Sequence, residues 1–450
     1  MKFHIKTYGC QMNERDSEAA SAALLDAGFE LASGESDADI LLFNTCSVRD
    51  QAERKAIGKI GLVKREKRVR PDIVVGVLGC MAQSLGETLV EKVPHVDFVL
   101  GTDRLGDLVD VVNAELERRG KIVRTAPATD DSPPSHLDGH LPLERRSSRV
   151  SAFVALMRGC DCFCSYCIVP YVRGRERSRP MDEILDEAER LVEEGVKEIV
   201  FLGQNVAAYG RKEGLAPNGR SALARLFERA SGIGGLRRIR FTSPYPSDFD
   251  DDLIEAVASL PKVCDSVHLP LQSGSDAILK AMNRRYTVSE YMSVVEKLKG
   301  FAPGMTFSTD VIVGFPGERD EDFEGTRRLM EEVGFENAFI FKYSPRRGTR
   351  AAGLADSVPR GVKEERNAVL LDDLKRRAET ANRALVGRRV EVLVEGVSKR
   401  DDSRWYGRTT TNKMVVFAPN PSILVGDMVA PVVVRSTAAT LFGEFPAGDR

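Results

Sequence analysis

The sequence predicts an α/β protein in three parts: an N-terminal parallel sheet with helices on its faces, a central open barrel of six strand–helix units, and a small all-β barrel at the C-terminal end. Three observations carry this. Short apolar runs of strand type alternate with helical stretches in two separate regions, and such alternation builds parallel sheets. A proline-rich polar segment, Ala126 to Ser148, separates those regions. After a long charged helix, the pattern turns to short β-type runs punctuated by glycine. The expected boundaries are 1–125, a linker at 126–148, 149–385 and 386–447.

In the first part, Phe3–Tyr8 reads as a strand, Asn13–Ala27 as a helix and Ile40–Phe43 as a buried strand. Val48–Arg70 reads as a charged helix, and Ile73–Leu78 and Val96–Leu100 as two further strands. The linker holds Pro127, Pro133, Pro134, Gly139 and Pro142 among polar residues. From Ser151 the candidate strands are Phe153–Met157, Glu198–Gly203, Arg237–Ser243, Ser266–Leu271, Thr306–Phe315 and Ala338–Tyr343. Helices such as Met181–Glu194 and Glu321–Glu332 separate them. Six units make an open, partial barrel rather than the closed eight-unit form, and the chemistry of βα barrels sits at the carboxyl ends of the strands. Val362–Leu385 is the charged helix. The tail strands are Arg389–Val394, Trp405–Thr410, Met414–Phe417 and Val429–Arg435, with Gly396, Gly407 and Gly426 between them.

At 450 residues the chain has room for two to four domains of about 100–200 residues each. A formal net charge of −2 gives no overall sign of nucleic-acid binding, so any basic surface is local. No apolar run approaches the ~18 residues of a membrane span. Met1–Gly9 lacks the basic and apolar regions of a secretion signal, which predicts a cytoplasmic protein with no membrane partner. In such a chain eight cysteines point to metal ligation or redox chemistry rather than a disulfide framework.

The strongest signal is Cys160-x-x-x-Cys164-x-x-Cys167, after a predicted strand and before Ile168-Val169-Pro170. Three thiolates on one loop can hold three irons of a cubane cluster and leave the fourth open to chelate a ligand. A zinc site is the alternative. It wants a fourth ligand, and Cys162 could supply that sulfur; under the cluster reading Cys162 is an extra thiol. A second constellation is Cys10, Cys46 and Cys80. They are far apart in the chain, yet each lies just beyond a predicted strand. In a parallel sheet the carboxyl ends of strands meet at one edge, where ligands bind, so the three can converge. Read blandly, they are three small buried residues. Cys264 reads as core.

These residues together resemble the radical S-adenosylmethionine (SAM) methylthiotransferase family along nearly the whole chain. Tyr8-Gly9-Cys10-Gln11-Met12-Asn13, Asn44-Thr45-Cys46-Ser47-Val48-Arg49 and Gly79-Cys80-Met81-Ala82-Gln83 resemble its N-terminal cluster-bearing domain. Gly159-Cys160 through Tyr171 and Arg173-Gly174-Arg175-Glu176-Arg177-Ser178-Arg179 resemble its radical SAM core. So do Leu202-Gly203-Gln204-Asn205, Leu269 through Ser275, Val313 through Glu318, and Tyr343-Ser344-Pro345. The tail is similar to the family's RNA-binding TRAM barrel. Cys10-Gln11-Met12-Asn13 and Cys46-Ser47-Val48-Arg49 are similar to the branch acting on isopentenyladenosine in tRNA. The branches acting on threonylcarbamoyladenosine or on a ribosomal-protein aspartate usually carry other residues there. Tyr245 stands where a histidine is common, and Ala207 and Ala208 where an Asn-Ser pair is usual.

The resemblance implies two 4Fe–4S clusters, one on Cys160, Cys164 and Cys167 and one on Cys10, Cys46 and Cys80. It implies SAM as cofactor and methylthiolation at C2 of an isopentenylated adenosine beside the anticodon of tRNA. It also implies an electron donor such as a flavodoxin and a sulfur source, and a monomeric enzyme is expected. Tyr166 is a candidate to lie against the adenine of SAM and Gln204 to bind its methionine part; each also reads as an ordinary strand-end residue. Arg173, Arg175, Arg177 and Arg179 could neutralise phosphates, whereas the run Lys64 to Arg68 reads better as a solvated helix face. Trp405, Tyr406 and Phe417 could stack on bases or fill a core. A non-catalytic zinc-stabilised RNA-binding protein is the reading of another class.

Overall fold

The first parallel sheet has six strands in the order β2–β1–β3–β4–β5–β6 in the computed structural model of this chain. The structure describes residues 1–48, 50–118, 120–126, 139–216, 219–420 and 422–446. Arg49, most of the expected linker and residue 447 lie outside the described residues. The strands are β1 (Lys2–Thr7), β2 (Glu30–Leu31), β3 (Ile40–Thr45), β4 (Val74–Gly79), β5 (Phe98–Leu100) and β6 (Ile122–Arg124), and every pairing is parallel. Four of the six were expected. β2 and β6 escape sequence reading because two or three residues at a sheet edge carry no periodicity. β3 and β4 are buried throughout, as strands covered on both faces must be. The covering helices are α1 (Gln11–Asp26), α2 (Asp50–Val69), α3 (Cys80–Leu85), α4 (Glu87–Lys92) and α5 (Leu108–Arg118).

The central region keeps all six expected strands. β7 (Ser151–Ala155), β10 (Glu198–Leu202) and β11 (Arg238–Phe241) pair in parallel, as do β12 (Ser266–His268), β13 (Thr306–Val313) and β14 (Asn337–Lys342). A parallel bridge from Ile239 to Val263 connects the two triplets into one open, curved wall. Met157 closes the expected first strand differently: Met157–Arg158 (β8) turns away to pair antiparallel with Arg177–Ser178 (β9). The helices are α6 (Val169–Val172), α7 (Met181–Glu193), α8 (Ala222–Ser231), α9 (Asp251–Ser259), α10 (Asp276–Ala281), α11 (Val288–Phe301), α12 (Asp320–Val333) and α13 (Arg360–Arg383). Period-two alternation divides the wall. Val154, Ile199 and Phe201 pack with Ile184, Leu191, Leu226 and Phe227 of the outer helices, while Ala155, Val200 and Leu202 face inward.

The tail is a curled six-stranded sheet in the order β18–β15–β16–β17–β20–β19. Its strands are β15 (Val392–Ser398), β16 (Asp401–Arg408), β17 (Met414–Phe417), β18 (Met428–Val429), β19 (Val432–Ser436) and β20 (Thr440–Glu444). The expected run Val429–Arg435 splits in two because Pro431 has no amide hydrogen to give a ladder. β20 was not foreseen. Backbone bonds from Gly387 to Val433 and from Val433 to Arg388 draw the sheet's edges together. No helix among the described residues is long and apolar enough to cross a membrane.

Candidate metal and substrate site

β1, β3 and β4 are neighbours in the sheet, and the chain leaves their carboxyl ends at Cys10, Cys46 and Cys80. The triad therefore gathers on one edge. Gly79 shapes the last turn: at φ +90° it lies so close that an added Cβ would stand 2.3 Å from Asn44 Oδ1 and 2.6 Å from the Thr45 carbonyl oxygen. Asn13 and Asn44 tie the other two turns. Asn13 Nδ2 donates to Asn44 Oδ1 (3.0 Å) and to the Thr45 carbonyl (3.2 Å), and Asn44 Nδ2 returns a bond to the Asn13 carbonyl (2.9 Å). Burial pushes the Cys80 thiol up to about 12, with Arg173 pulling the other way and Cys46 and Cys10 adding to the rise.

The second set lies on one loop, in a tight turn between β8 and α6. Gly159, at φ +77°, abuts the Arg175 carbonyl so closely that a Cβ would overlap it at 1.9 Å. The Cys160 amide donates to the Gly174 carbonyl (3.1 Å). From the far side Asn283 Nδ2 holds the Phe163 carbonyl (2.9 Å), Ser165 bonds Met282 and Ala281, and Arg284 Nη1 lies 3.5 Å from Cys164 Sγ. Phe163 itself sits at φ +46°, a strained conformation for a side-chain-bearing residue. Cys160, Cys162 and Cys164 are buried and Cys167 half-buried. The Cys162 thiol leans on Cys160, which lowers Cys160 and raises Cys162. Burial pushes Cys167 up to about 12, with Cys164 and Cys160 adding. Burial likewise raises the Glu176 carboxyl to about 7, with Asp248 adding to it.

The two sets face one another. Met12, two residues past Cys10, packs with Cys10 against Phe153 and Ala155 of β7 and Val200 and Leu202 of β10, on the inner side of the barrel wall. Ile168 and Val172, just after the cysteine loop, pack on Cys80. Two buried carboxylates clamp the junction. Asp16 of α1 takes Arg158 at 2.6 Å and Arg173 at 2.9 Å. Glu187 of α7 takes Arg179 and His140 at 2.6 Å each and Arg15 at 3.4 Å. The arginine run is thus mostly not a phosphate surface. Arg173 and Arg179 are buried pairs, Arg177 meets Asp103 at 2.8 Å, and only Arg175 is well exposed, itself 2.7 Å from Asp161. The buried members need a carboxylate each, because an unpaired charge in the interior is costly.

The SAM-site expectations fall beside the loop. Gln204 lies at the carboxyl end of β10 with its Oε1 buried and without a partner. Tyr166 packs against Ile278, Met282 and Phe315. The three thiols and this orphaned acceptor suit a cluster with a chelated cofactor. On the other side, Arg173 Nη1 is also buried and unpartnered, beside Cys80 and Cys10. Tyr245 is buried, takes the Arg285 amide at 2.8 Å, and carries the Arg284 guanidinium over its ring at 4.1 Å. Ala207 and Ala208 form a buried turn behind Gln204. Asp16, Arg158, Asn283 and Arg284 escaped the sequence reading; a charged residue amid the alanines of α1, and one directly after a strand, were the available signals. Cys264 is buried in the core as expected. In the tail Phe417 is core, Trp405 packs on that core, and Tyr406 is half-buried on the other face.

Three family models match the chain: an uncharacterized protein family, UPF0004, over residues 2–101, the radical SAM superfamily over 154–330, and the TRAM domain over 383–445. The tRNA-2-methylthio-N(6)-dimethylallyladenosine synthase of Opitutus terrae is 46% identical, covering 98% of this chain and 97% of its own. Those of Akkermansia muciniphila and Clostridium botulinum (strain Okra) are 44% and 43% identical, each over 98% of this chain and 98% and 96% of their own. Among solved structures, the radical SAM methyltransferase TsrM of Kitasatospora setae, with cobalamin and a [4Fe-4S] cluster bound, shares the fold. Its TM-score is 0.57 at 15% identity, over 78% of this chain and 77% of that one.

Proposed function

The chain belongs to the family of tRNA-2-methylthio-N(6)-dimethylallyladenosine synthases, radical SAM methylthiotransferases, and we propose that it places a methylthio group on C2 of the isopentenylated adenosine beside the anticodon of tRNA. One observation carries the reading: the two groups of three cysteines meet at one junction, with Ile168, next to Cys167, packed against Cys80. One group alone would suit many radical enzymes; the pair suits sulfur insertion.

Cys160, Cys164 and Cys167 would hold one 4Fe–4S cluster, and Cys10, Cys46 and Cys80 the other. Bound there, the clusters and SAM supply the one-electron chemistry that an inert aromatic C–H bond requires. The residues do the rest. Gln204 Oε1, buried without a partner, is the acceptor that would take a hydrogen bond from the methionine part of SAM. Arg284 donates toward Cys164, and Tyr245 and Tyr286 brace that arginine. Arg173 sets a buried positive charge beside the anionic triad, and Asp16 fixes its direction. Met12 and α1 close the inner face of the barrel against water, which keeps reacting groups aligned and dry. Residues 1–125 thus serve the sulfur-bearing cluster, 149–385 the SAM chemistry and 386–447 the RNA, with 126–148 joining the first two. An external reductant such as a flavodoxin and a sulfur source complete the system, in a monomeric enzyme acting in the cytoplasm.

The experiment is mass spectrometry of tRNA nucleosides from cells lacking this protein, with and without its return. Loss and recovery of the methylthio group on isopentenyladenosine is the expected result. An unchanged isopentenyladenosine with a changed threonylcarbamoyladenosine would move the enzyme to another branch. Unchanged nucleosides together with a zinc-loaded, iron-free protein would favour a binding protein instead.

A further inference from the structure

One side chain on the cysteine loop has no part in the cluster. Cys162 is buried, and its sulfur, the Cys160 sulfur and a Glu176 carboxylate oxygen all lie within 4.8 Å of one another. Ligand atoms around a tetrahedral zinc, at about 2.3 Å for sulfur and 2.0–2.2 Å for oxygen, stand under about 4 Å apart, so a small contraction closes the set. The backbone already holds that set in place. The Asp161 amide donates to Glu176 Oε1 at 3.2 Å, and the Glu176 amide reaches back to Asp161 Oδ1 at 3.4 Å. The Met157–Ser178 and Arg158–Arg177 pairs anchor both segments to one another. Asn205 Nδ2 stands 3.8 Å from Cys162 Sγ.

We propose that before its cluster is loaded, the chain binds one divalent ion of zinc type on Cys160, Cys162 and Glu176. Two thiolates and a carboxylate suit a borderline cation such as Zn²⁺, Co²⁺ or Fe²⁺, with the fourth position left to water. Cys160 is common to this site and to the cluster, so the two occupants exclude each other. The ion caps Cys160 and Cys162 against oxidation and must leave before three thiolates can take a cluster. The inference uses the cluster assignment only for this competition; the ion site stands on the geometry of its own three ligands.

The test titrates full-length, cluster-stripped, reduced protein with Co²⁺ and counts equivalents by its thiolate absorption and by metal analysis. The triad of Cys10, Cys46 and Cys80 can bind cobalt too, so the comparison is between variants. Cys162→Ser should lose one equivalent relative to the unaltered chain, yet accept the loop cluster on reconstitution. Cys164→Ser should do the reverse, keeping the cobalt equivalent and losing the loop cluster. Glu176→Gln should weaken that equivalent at least tenfold, and it serves where Cys162→Ser does not fold. Zinc-preloaded protein should reconstitute its loop cluster more slowly than preloaded Cys162→Ser. Undiminished cobalt binding by both Cys162→Ser and Glu176→Gln would overturn the site, as would loss of that equivalent in Cys164→Ser. Failure of the enzyme reading would appear separately, as no cluster in the unaltered chain.

Discussion

The two cysteine groups reach the same junction by opposite routes. The loop group comes from eight consecutive residues, and its geometry is local: Gly159 makes the turn, Ser165 within the loop bonds out to Ala281, and Asn283 and Arg284 hold it from outside. The N-terminal group comes from three strand ends, and its geometry is topological. It exists because β1, β3 and β4 are adjacent and parallel, and because Asn13 and Asn44 lock their turns together. A local site needs little beyond its own segment. A topological site needs the whole sheet, and here it also needs the sheet docked on the barrel through Asp16 and Glu187. Substitutions in the two should therefore fail in different ways.

The largest effect is expected at the loop. Cys160→Ala removes one of the three thiolates that leave an iron open, so SAM cleavage should fall to background and methylthiolation with it. Cys162→Ala should leave cleavage close to unaltered. Counting 5′-deoxyadenosine from reduced protein checks both, and the opposite pattern would reassign the ligands. The triple replacement of Cys10, Cys46 and Cys80 by Ala should be total in product but not in cleavage. Iron content should halve, 5′-deoxyadenosine should still form, and no methylthio nucleoside should appear. A triple variant with full iron content would make that triad ordinary packing, and retained cleavage is the control against misfolding.

The same contrast decides what the sequence made legible. Spacing alone identifies Cys160, Cys164 and Cys167. Cys10, Cys46 and Cys80 become a group only once three apolar runs are read as parallel neighbours, and the structure does bring them to one edge. All six barrel strands were legible because each is a short apolar or alternating run between helices, including β14, whose residues stay partly exposed. β2, β6 and the split of β18 from β19 were not, because they rest on two- and three-residue pairings and on Pro431. The buried Asp16–Arg158–Arg173 cluster was invisible for a different reason: a charged residue in sequence reads as surface until its partner is placed beside it. That is why the Arg173 to Arg179 run suggested phosphates.

The docking clamp offers a smaller and more graded effect. Burial opposes charge on Glu187, yet the His140 hydrogen bond and the Arg15 and Arg179 charges win, holding its carboxyl at about 2. A carboxyl below its ordinary 4.5 stabilises the fold above that pH, and the contribution fades as pH falls toward 2. Glu187→Gln leaves buried arginines short of a counter-charge and should cost about 3 kcal/mol in denaturant unfolding. The loss should shrink as pH falls from about 4.5 toward about 2, because the unfolded chain takes up a proton there that the folded carboxylate still refuses. If docking serves the triad more than the loop, methylthiolation should suffer more than SAM cleavage. Equal losses of both would end the distinction drawn here.

The smallest effect belongs to the tail, where the contrast between local and topological sites can be sharpened without touching either. Deleting the tail would expose Arg238, which is buried and donates to the Arg408 carbonyl, so substitutions serve better than truncation. The turn between β15 and β16 carries Lys399 and Arg400, both exposed. Burial raises the carboxyl of Glu14, in the first turn of α1, and Lys399 lies close enough to oppose that rise. Cys10 caps that turn of helix, so the hairpin tip lies near the end of α1 that carries one member of the triad. A tRNA reaching the junction with its anticodon loop would bring phosphates past this tip, since single-stranded loops are where bases splay outward. Lys399→Ala with Arg400→Ala should weaken tRNA affinity by about threefold to tenfold and flatten its salt dependence by about one phosphate contact for each cation that was engaged. Cleavage of SAM without tRNA should not change, because neither residue belongs to the loop that carries Cys160, Cys164 and Cys167. Filter binding across a salt series, with cleavage assayed beside it, gives both numbers. Unchanged affinity and an unchanged salt slope would mean that tRNA approaches the junction from another side.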